Sequence, residues 1–145
     1  MLTNLPFTLS YLRAAYATGT HPSDVIDEVF ARLDKVNDPG IFIHLRNRES
    51  IKAEATALGP YDPAMPLWGI PYAAKDNIDV AGIETTAGCP AYAYTPEYDA
   101  FVIAQLRAAG ALIIGKTNLD QFATGLVGVR TPYGAPLNAV DSEIV

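Results

Sequence analysis

The sequence predicts an α/β fold, and three observations carry that reading. Val25, Ile26, Val29, Phe30, Leu33 and Val36 repeat at helical spacing and form one apolar stripe. Ile41-Phe42-Ile43-His44-Leu45, Ile70 to Lys75 and Ala111 to Ile114 are short apolar runs of strand type. The last two of these runs are separated by a long connection that carries its own helical pattern, the layout of a parallel βαβ unit.

Taken in order, Thr8 is placed to cap a first helix through Leu9, Leu12, Ala15 and Tyr16, with Gly19 to end it. Pro22 suits the first turn of the second helix, and Asn37-Asp38-Pro39-Gly40 breaks that helix. The strand Ile41–Leu45 follows, then a third helix on Ile51, Ala55 and Leu58 that stops at Gly59. Pro60 to Pro66 is proline-rich and reads as a surface connection before the strand Ile70–Lys75. Tyr94 to Asp99 reads as a loop, with Asp99 capping a helix on Val102, Ile103, Leu106 and Ala109 that Gly110 ends. Ala111–Ile114 is then a buried strand, and Asn118 or Asp120 starts a short helix. No internal repeat or low-complexity tract interrupts this order.

Composition narrows the function classes. The 145 residues are half apolar and 18% charged, ordinary for one globular domain. A net charge of −6 without any basic run argues against nucleic acid, whose binding needs clustered Lys and Arg. Cys89 is the sole cysteine, and His21 and His44 stand far apart, so no metal-ligand spacing exists. The start MLTNLPFTLSYL has no basic residue ahead of its apolar positions, a poor secretory leader. Ala111–Ile114, the longest aliphatic stretch, is far too short for a membrane span. The expectation is a soluble cytoplasmic protein without metal or organic cofactor.

One motif needs weighing. GALIIGKT, residues 110–117, fits the letters of a phosphate-binding G-x-x-x-x-G-K-[ST] loop. A true phosphate loop keeps its variable residues out of the sheet, with their N–H groups free for phosphate. Ala111, Leu112, Ile113 and Ile114 are instead the residues of a sheet interior, and LRAA before Gly110 is a helix end. Gly110 then reads as a helix C-cap, Gly115 as a strand-end turn and Lys116 as a polar strand-end residue that binds no phosphate.

GIPYAAKDNIDVAG, residues 69–82, is the stretch that points to chemistry. Alternation places Pro71, Ala73 and Lys75 on one face and Ile70, Tyr72 and Ala74 on the other. Two readings of Lys75 stand side by side: a strand-end lysine snorkelling to solvent, or a partly buried amine. Burial disfavours the ammonium form, and a neutral amine near pH 7 can serve as a base. The residues alone supply no nucleophile to go with it. Ser10, Ser23, Ser50 and Ser142 all lack a glycine-rich turn that would offer oxyanion donors, and Cys89 reads as a packed thiol. Asp76 and Asp79 read as turn and cap residues.

PLWGIPYAAKDNID, TAGCPAY, DAFVIAQLRAAGALIIGKTNLDQFATG and TPYGAPLNA resemble the amidase-signature family, densely between Pro66 and Asn138. Within it, DQFATGLVGVRTPYG is most similar to the allophanate hydrolase branch. The resemblance implies an α/β/α sandwich with a mixed sheet and helices on both faces, of which 1–145 is the N-terminal part of a single catalytic domain. Residues 1–65 are then a mainly helical lead-in and 66–145 the start of the α/β core. It further implies a Ser–cis-Ser–Lys triad in which the K-D-N lysine, Lys75, is the base, and that reading favours burial. The family's Gly/Ser-rich signature and nucleophile are expected beyond NAVDSEIV, so this chain carries one of three triad members and no activity by itself. Thr124 and Gly125 are candidates for the substrate pocket wall, with packing as an equal account of them. The implied partner is a small-molecule amide or urea-derived substrate; no nucleic acid and no membrane is implied, and a homodimer of a full-length protein is left open. Another amidase or a component of an amidotransferase is the rival enzyme. A non-catalytic binding or assembly module, using the Val25–Val36 stripe, is the rival of another class.

Overall fold

The structure, a computed structural model, describes residues 6–141, 143 and 144. Its elements are helix α1 (Leu9–Ala17), α2 (Pro22–Val36), strand β1 (Phe42–Leu45), α3 (Arg48–Ala57), β2 (Pro71–Lys75), α4 (Phe101–Ala108) and β3 (Leu112–Thr117). Short 3-10 turns lie at Pro90–Tyr92 and Gln121–Ala123. The strands form one sheet in the order β1-β3-β2. β1 runs antiparallel to β3, with Phe42 opposite Thr117, His44 opposite Lys116 and Leu45 opposite Gly115. Leu112 N–H bonds Ile70 C=O at 2.8 Å and Asp76 N–H bonds Thr117 C=O at 3.1 Å, so β2 and β3 ascend together. The fold is therefore mixed α/β, with the parallel pair and its helical crossover where the pattern of apolar runs placed them.

The chain divides into two compact units. The first comprises Met1–Val36, Arg46–Tyr72 and Gln105–Ile114; the second comprises Asn37–Leu45, Ala73–Ala104 and Gly115–Val145. β2 and β3 each pass from one unit into the other.

In the first unit, Thr8 caps α1 by accepting the Tyr11 N–H. Leu12 and Tyr16 of α1 pack with Val25 of α2, Trp68 and Ile70 in one buried cluster. Trp68 meets Tyr16 and Tyr61 edge-on at 5.2 and 5.3 Å, the favoured aromatic geometry. Tyr16 OH donates to Gly69 C=O at 2.6 Å, and burial pushes its phenol well above the usual range. α2 packs on α3, and Asp27 receives both Arg48 and Lys52 there. Partial burial works to raise the Asp27 pKa, but these two cations hold it below the usual carboxylate value. The α2 stripe fades toward its end: Val25 and Ile26 are fully buried, whereas Val36 is exposed. Gly19, Gly59 and Gly110 follow α1, α3 and α4 with positive φ, as helix-ending glycines do.

In the second unit, β3 differs from its expected extent. It does not stop at Ile114 but continues through Gly115 and Lys116 to Thr117. Gly115 is a ladder residue opposite Leu45, not a turn. A Cβ there would overlap the His44 carbonyl oxygen of β1, so close backbone approach explains the glycine. Asp99 also differs: α4 begins at Phe101, and the Asp99 carboxylate accepts the Ala81 N–H at 2.8 Å.

Candidate active site

The end of β2 organises the second unit. Ala73 and Lys75 share the solvent side of the strand, while Ala74 between them and Asp76 beyond are buried. Lys75 is thus exposed; the partly buried placement is not what this chain shows. Its C=O accepts the Ile78 N–H at 2.9 Å, closing a turn immediately after the strand.

Asp76 is no turn residue. It is fully buried, and its Oδ2 accepts both the N–H and the hydroxyl of Thr86, at 2.9 and 2.6 Å. Its Oδ1 lies 3.3 Å from the Nζ of Lys116, which is also fully buried. Lys116 donates further to Thr85 Oγ1 at 3.0 Å and to Glu84 C=O at 3.3 Å. The lysine of the GALIIGKT motif is therefore committed to a carboxylate inside the protein, and the strand reading of Ala111–Ile114 holds. Thr85 passes the network outward by donating to Asp79 Oδ1 at 2.9 Å, where Tyr94 OH also donates at 2.7 Å. That bond to the Asp79 carboxylate pushes the Tyr94 phenol up to about 12.

A second cluster forms around Asp120. Its Oδ1 accepts Arg130 N–H at 2.7 Å, and its Oδ2 accepts Gly128 and Val127 N–H at 2.8 and 3.1 Å. These donors, Arg130 first and Gly128 next, hold its carboxyl below the usual value. Gly125 sits directly on this carboxylate, and a Cβ there would overlap Asp120. Packing thus accounts for Gly125. Thr124 is exposed, donates to Gln121 C=O at 2.8 Å, and lines a cleft of about 340 Å³ with Gln121, Arg130, Thr131 and Pro132. No hydrogen bond or ion pair joins Lys75 to Thr124 or Gly125 among the described residues. Ser142 lies outside the described residues. Among those described, no cluster of His, Cys, Asp and Glu could hold a metal, and no helix is long and apolar enough to cross a membrane.

Comparison with known proteins decides what this arrangement belongs to. The Amidase family model matches residues 24–145. The chain belongs to the amidase-signature family. That family hydrolyses C–N bonds and includes allophanate hydrolase. Urea amidolyase of Saccharomyces cerevisiae is 60% identical over 81 residues, 56% of this chain and 4% of the relative. The amidase-type component of glutamyl-tRNA(Gln) amidotransferase from Oleidesulfovibrio alaskensis is 40% identical over 144 residues, 95% of this chain and 29% of the relative. Allophanate hydrolase of Kluyveromyces lactis superposes with a TM-score of 0.80 at 36% identity, covering 99% of this chain and 24% of that one. The chain therefore spans less than a third of each of these proteins.

Asp76, Lys116 and Asp120 are the organising residues that pattern reading missed. The available signal was a lysine and two aspartates next to apolar strand residues, where charges are rarely buried without partners.

Proposed function

We propose that this chain is the N-terminal part of an amide hydrolase with a Ser–cis-Ser–Lys triad, most like allophanate hydrolase, and that Lys75 is its base. The supporting observation is the placement of Lys75. It stands on the open face of β2 with Asp76 turned inward behind it, so its amine is presented and not consumed by an internal ion pair. In its neutral form that amine takes the proton of a serine, which in turn takes that of the attacking serine. Both serines belong to the part of the family's catalytic domain beyond the segment matched here. Thr124 lies in the cleft wall that would face a small amide, with Gly125 holding the loop against Asp120. The 145-residue chain alone has the base without a nucleophile and does not hydrolyse amides.

The test uses a chain lengthened through the family's Gly/Ser-rich signature and nucleophile, with ammonia release from allophanate as the readout. Lys75→Ala removes nearly all activity, and Lys75→Arg is nearly as inactive because guanidinium stays protonated. A folded Lys75→Arg enzyme with wild-type turnover sinks the assignment. The amidase-type component of an amidotransferase is a second reading, supported by similarity along 95% of this chain. Glutamine-dependent activity without allophanate hydrolysis would select it.

A further inference from the structure

Two lysines stand at the ends of neighbouring strands, and they have opposite fates. Lys75 of β2 is exposed, whereas Lys116 of β3 is fully buried against Asp76. The backbone alone does not decide this outcome. Side chains alternate along a strand, so sliding β2 by one residue against β3 would turn every β2 side chain to the other face. Lys75 would then point inward and Asp76 outward.

We propose that the Asp76–Lys116 pair fixes the register of β2 on β3 and is thereby the positioning group for Lys75. This rests on the reading of Lys75 as the base. Asp76 directly follows Lys75 and is pinned at three points. Its N–H bonds Thr117 C=O at 3.1 Å, its Oδ2 takes the Thr86 N–H and hydroxyl, and its Oδ1 faces Lys116 Nζ at 3.3 Å. Thr86 is itself held, its Oγ1 accepting the Gly88 N–H at 3.1 Å.

In the slipped register the Lys116 ammonium would lose its carboxylate inside the protein, a strongly unfavourable arrangement. A buried ion pair adds little over an apolar pair of similar size, and selecting a register is its best-attested use. Thr85 and Asp79 continue the network, so Lys116 cannot turn to solvent without breaking Thr85 away. Asp76 and Lys116 touch no reacting atom in this scheme; they decide which lysine is presented.

The test reads the lysines themselves in the 145-residue chain, using trace acetylation with mass spectrometry and the amide signals of β2. In the wild type, Lys75 labels as a free amine, and Lys116 labels on the order of a hundredfold more slowly, through opening only. In the doubly neutral variant Asp76→Asn with Lys116→Met, Lys75 gives two sets of amide signals and slower labelling. In the reversed pair Asp76→Lys with Lys116→Asp, the single set and the wild-type Lys75 rate return. A folded neutral variant with one Lys75 signal and unchanged labelling overturns the proposal, because a merely structural pair predicts that result.

A wild-type measurement stands whether or not the variants fold. Hydrogen exchange at the Asp76 amide matches mid-strand Ala74 if the strand end is pinned, and faster exchange at Asp76, the ordinary fraying of an end, overturns it. No step involves hydrolysis. A fixed register with an inactive role for Lys75 in the lengthened enzyme would therefore sink the functional reading alone.

Discussion

Asp120 Oδ1 accepts the Arg130 main-chain N–H at 2.7 Å, and with the Val127 and Gly128 bonds on Oδ2 it closes the loop between them around one carboxylate. Replacing Asp120 with Asn puts an NH₂ group where one oxygen accepted, facing N–H donors it cannot satisfy. The melting temperature falls, and the amides of Val127 and Gly128 or of Arg130 exchange faster. The sign with pH follows from the lowered carboxyl value. Its stabilisation is complete above the ordinary value of 3.8 and is lost as pH falls through the lower folded value. Acid melting curves of wild type and Asp120→Asn therefore converge below that range. Curves that stay parallel throughout exclude this role.

Gly115→Ala places a methyl on the His44 carbonyl. Overpacking of this kind costs about 1–3 kcal/mol, and the backbone location removes the option of a side chain moving aside. Urea denaturation measures it, with Gly134→Ala as a control of strain without collision, since its φ is +87 and nothing lies near its added Cβ. An undiminished Gly115→Ala midpoint would mean that β1 and β3 are not so closely paired.

Lys116→Met leaves the Asp76 carboxylate buried without its cation. Losing one member of such a pair costs about 3–5 kcal/mol. That is a large share of the roughly 5–15 kcal/mol that holds a domain together. Fluorescence-detected denaturation, following Trp68, reads the loss. A change below about 1 kcal/mol would show that water reaches Asp76.

Tyr94 ionises late. Difference absorbance between wild type and Tyr94→Phe places one phenol near 12, and Asp79→Asn brings it down toward the ordinary value of 10. Because the folded value is raised, this contribution to stability is whole below pH 10 and is lost as pH climbs through about 12. A Tyr94 that titrates with the surface tyrosines removes the Asp79 bond.

The chain binds no ATP or GTP through GALIIGKT. Titration with a fluorescent nucleotide and Mg²⁺ checks this, and micromolar affinity abolished in a folded Lys116→Met chain is the contrary result.

The sequence announced its local structure better than its internal chemistry. The α2 stripe behind Pro22, the cap at Thr8 and the glycines after α1, α3 and α4 act within a turn or two, where pattern is informative. Gly115 misled because a glycine after an apolar run resembles a stop. Its reason, the His44 carbonyl, belongs to another strand. Lys116 and Asp76 misled for the same cause, since each looks like a surface residue until the parallel pairing of β2 and β3 brings them together. The K-D-N lysine was found by resemblance, and its exposure here was not visible from the strand pattern, which fixes faces but not what covers them.

The strand order β1-β3-β2 leaves β2 at a rim of the described sheet, with main-chain groups open to recruit a neighbouring molecule. Pro71 at its start removes a donor, and Lys75 at its end brings a charge that repels a copy of itself. The residue proposed as a base thus also guards against self-association, so neutralising it has a cost in solubility. A Lys75→Ala chain, or one acetylated at Lys75, precipitates at lower concentration than the wild type, and that loss has to be separated from any loss of turnover.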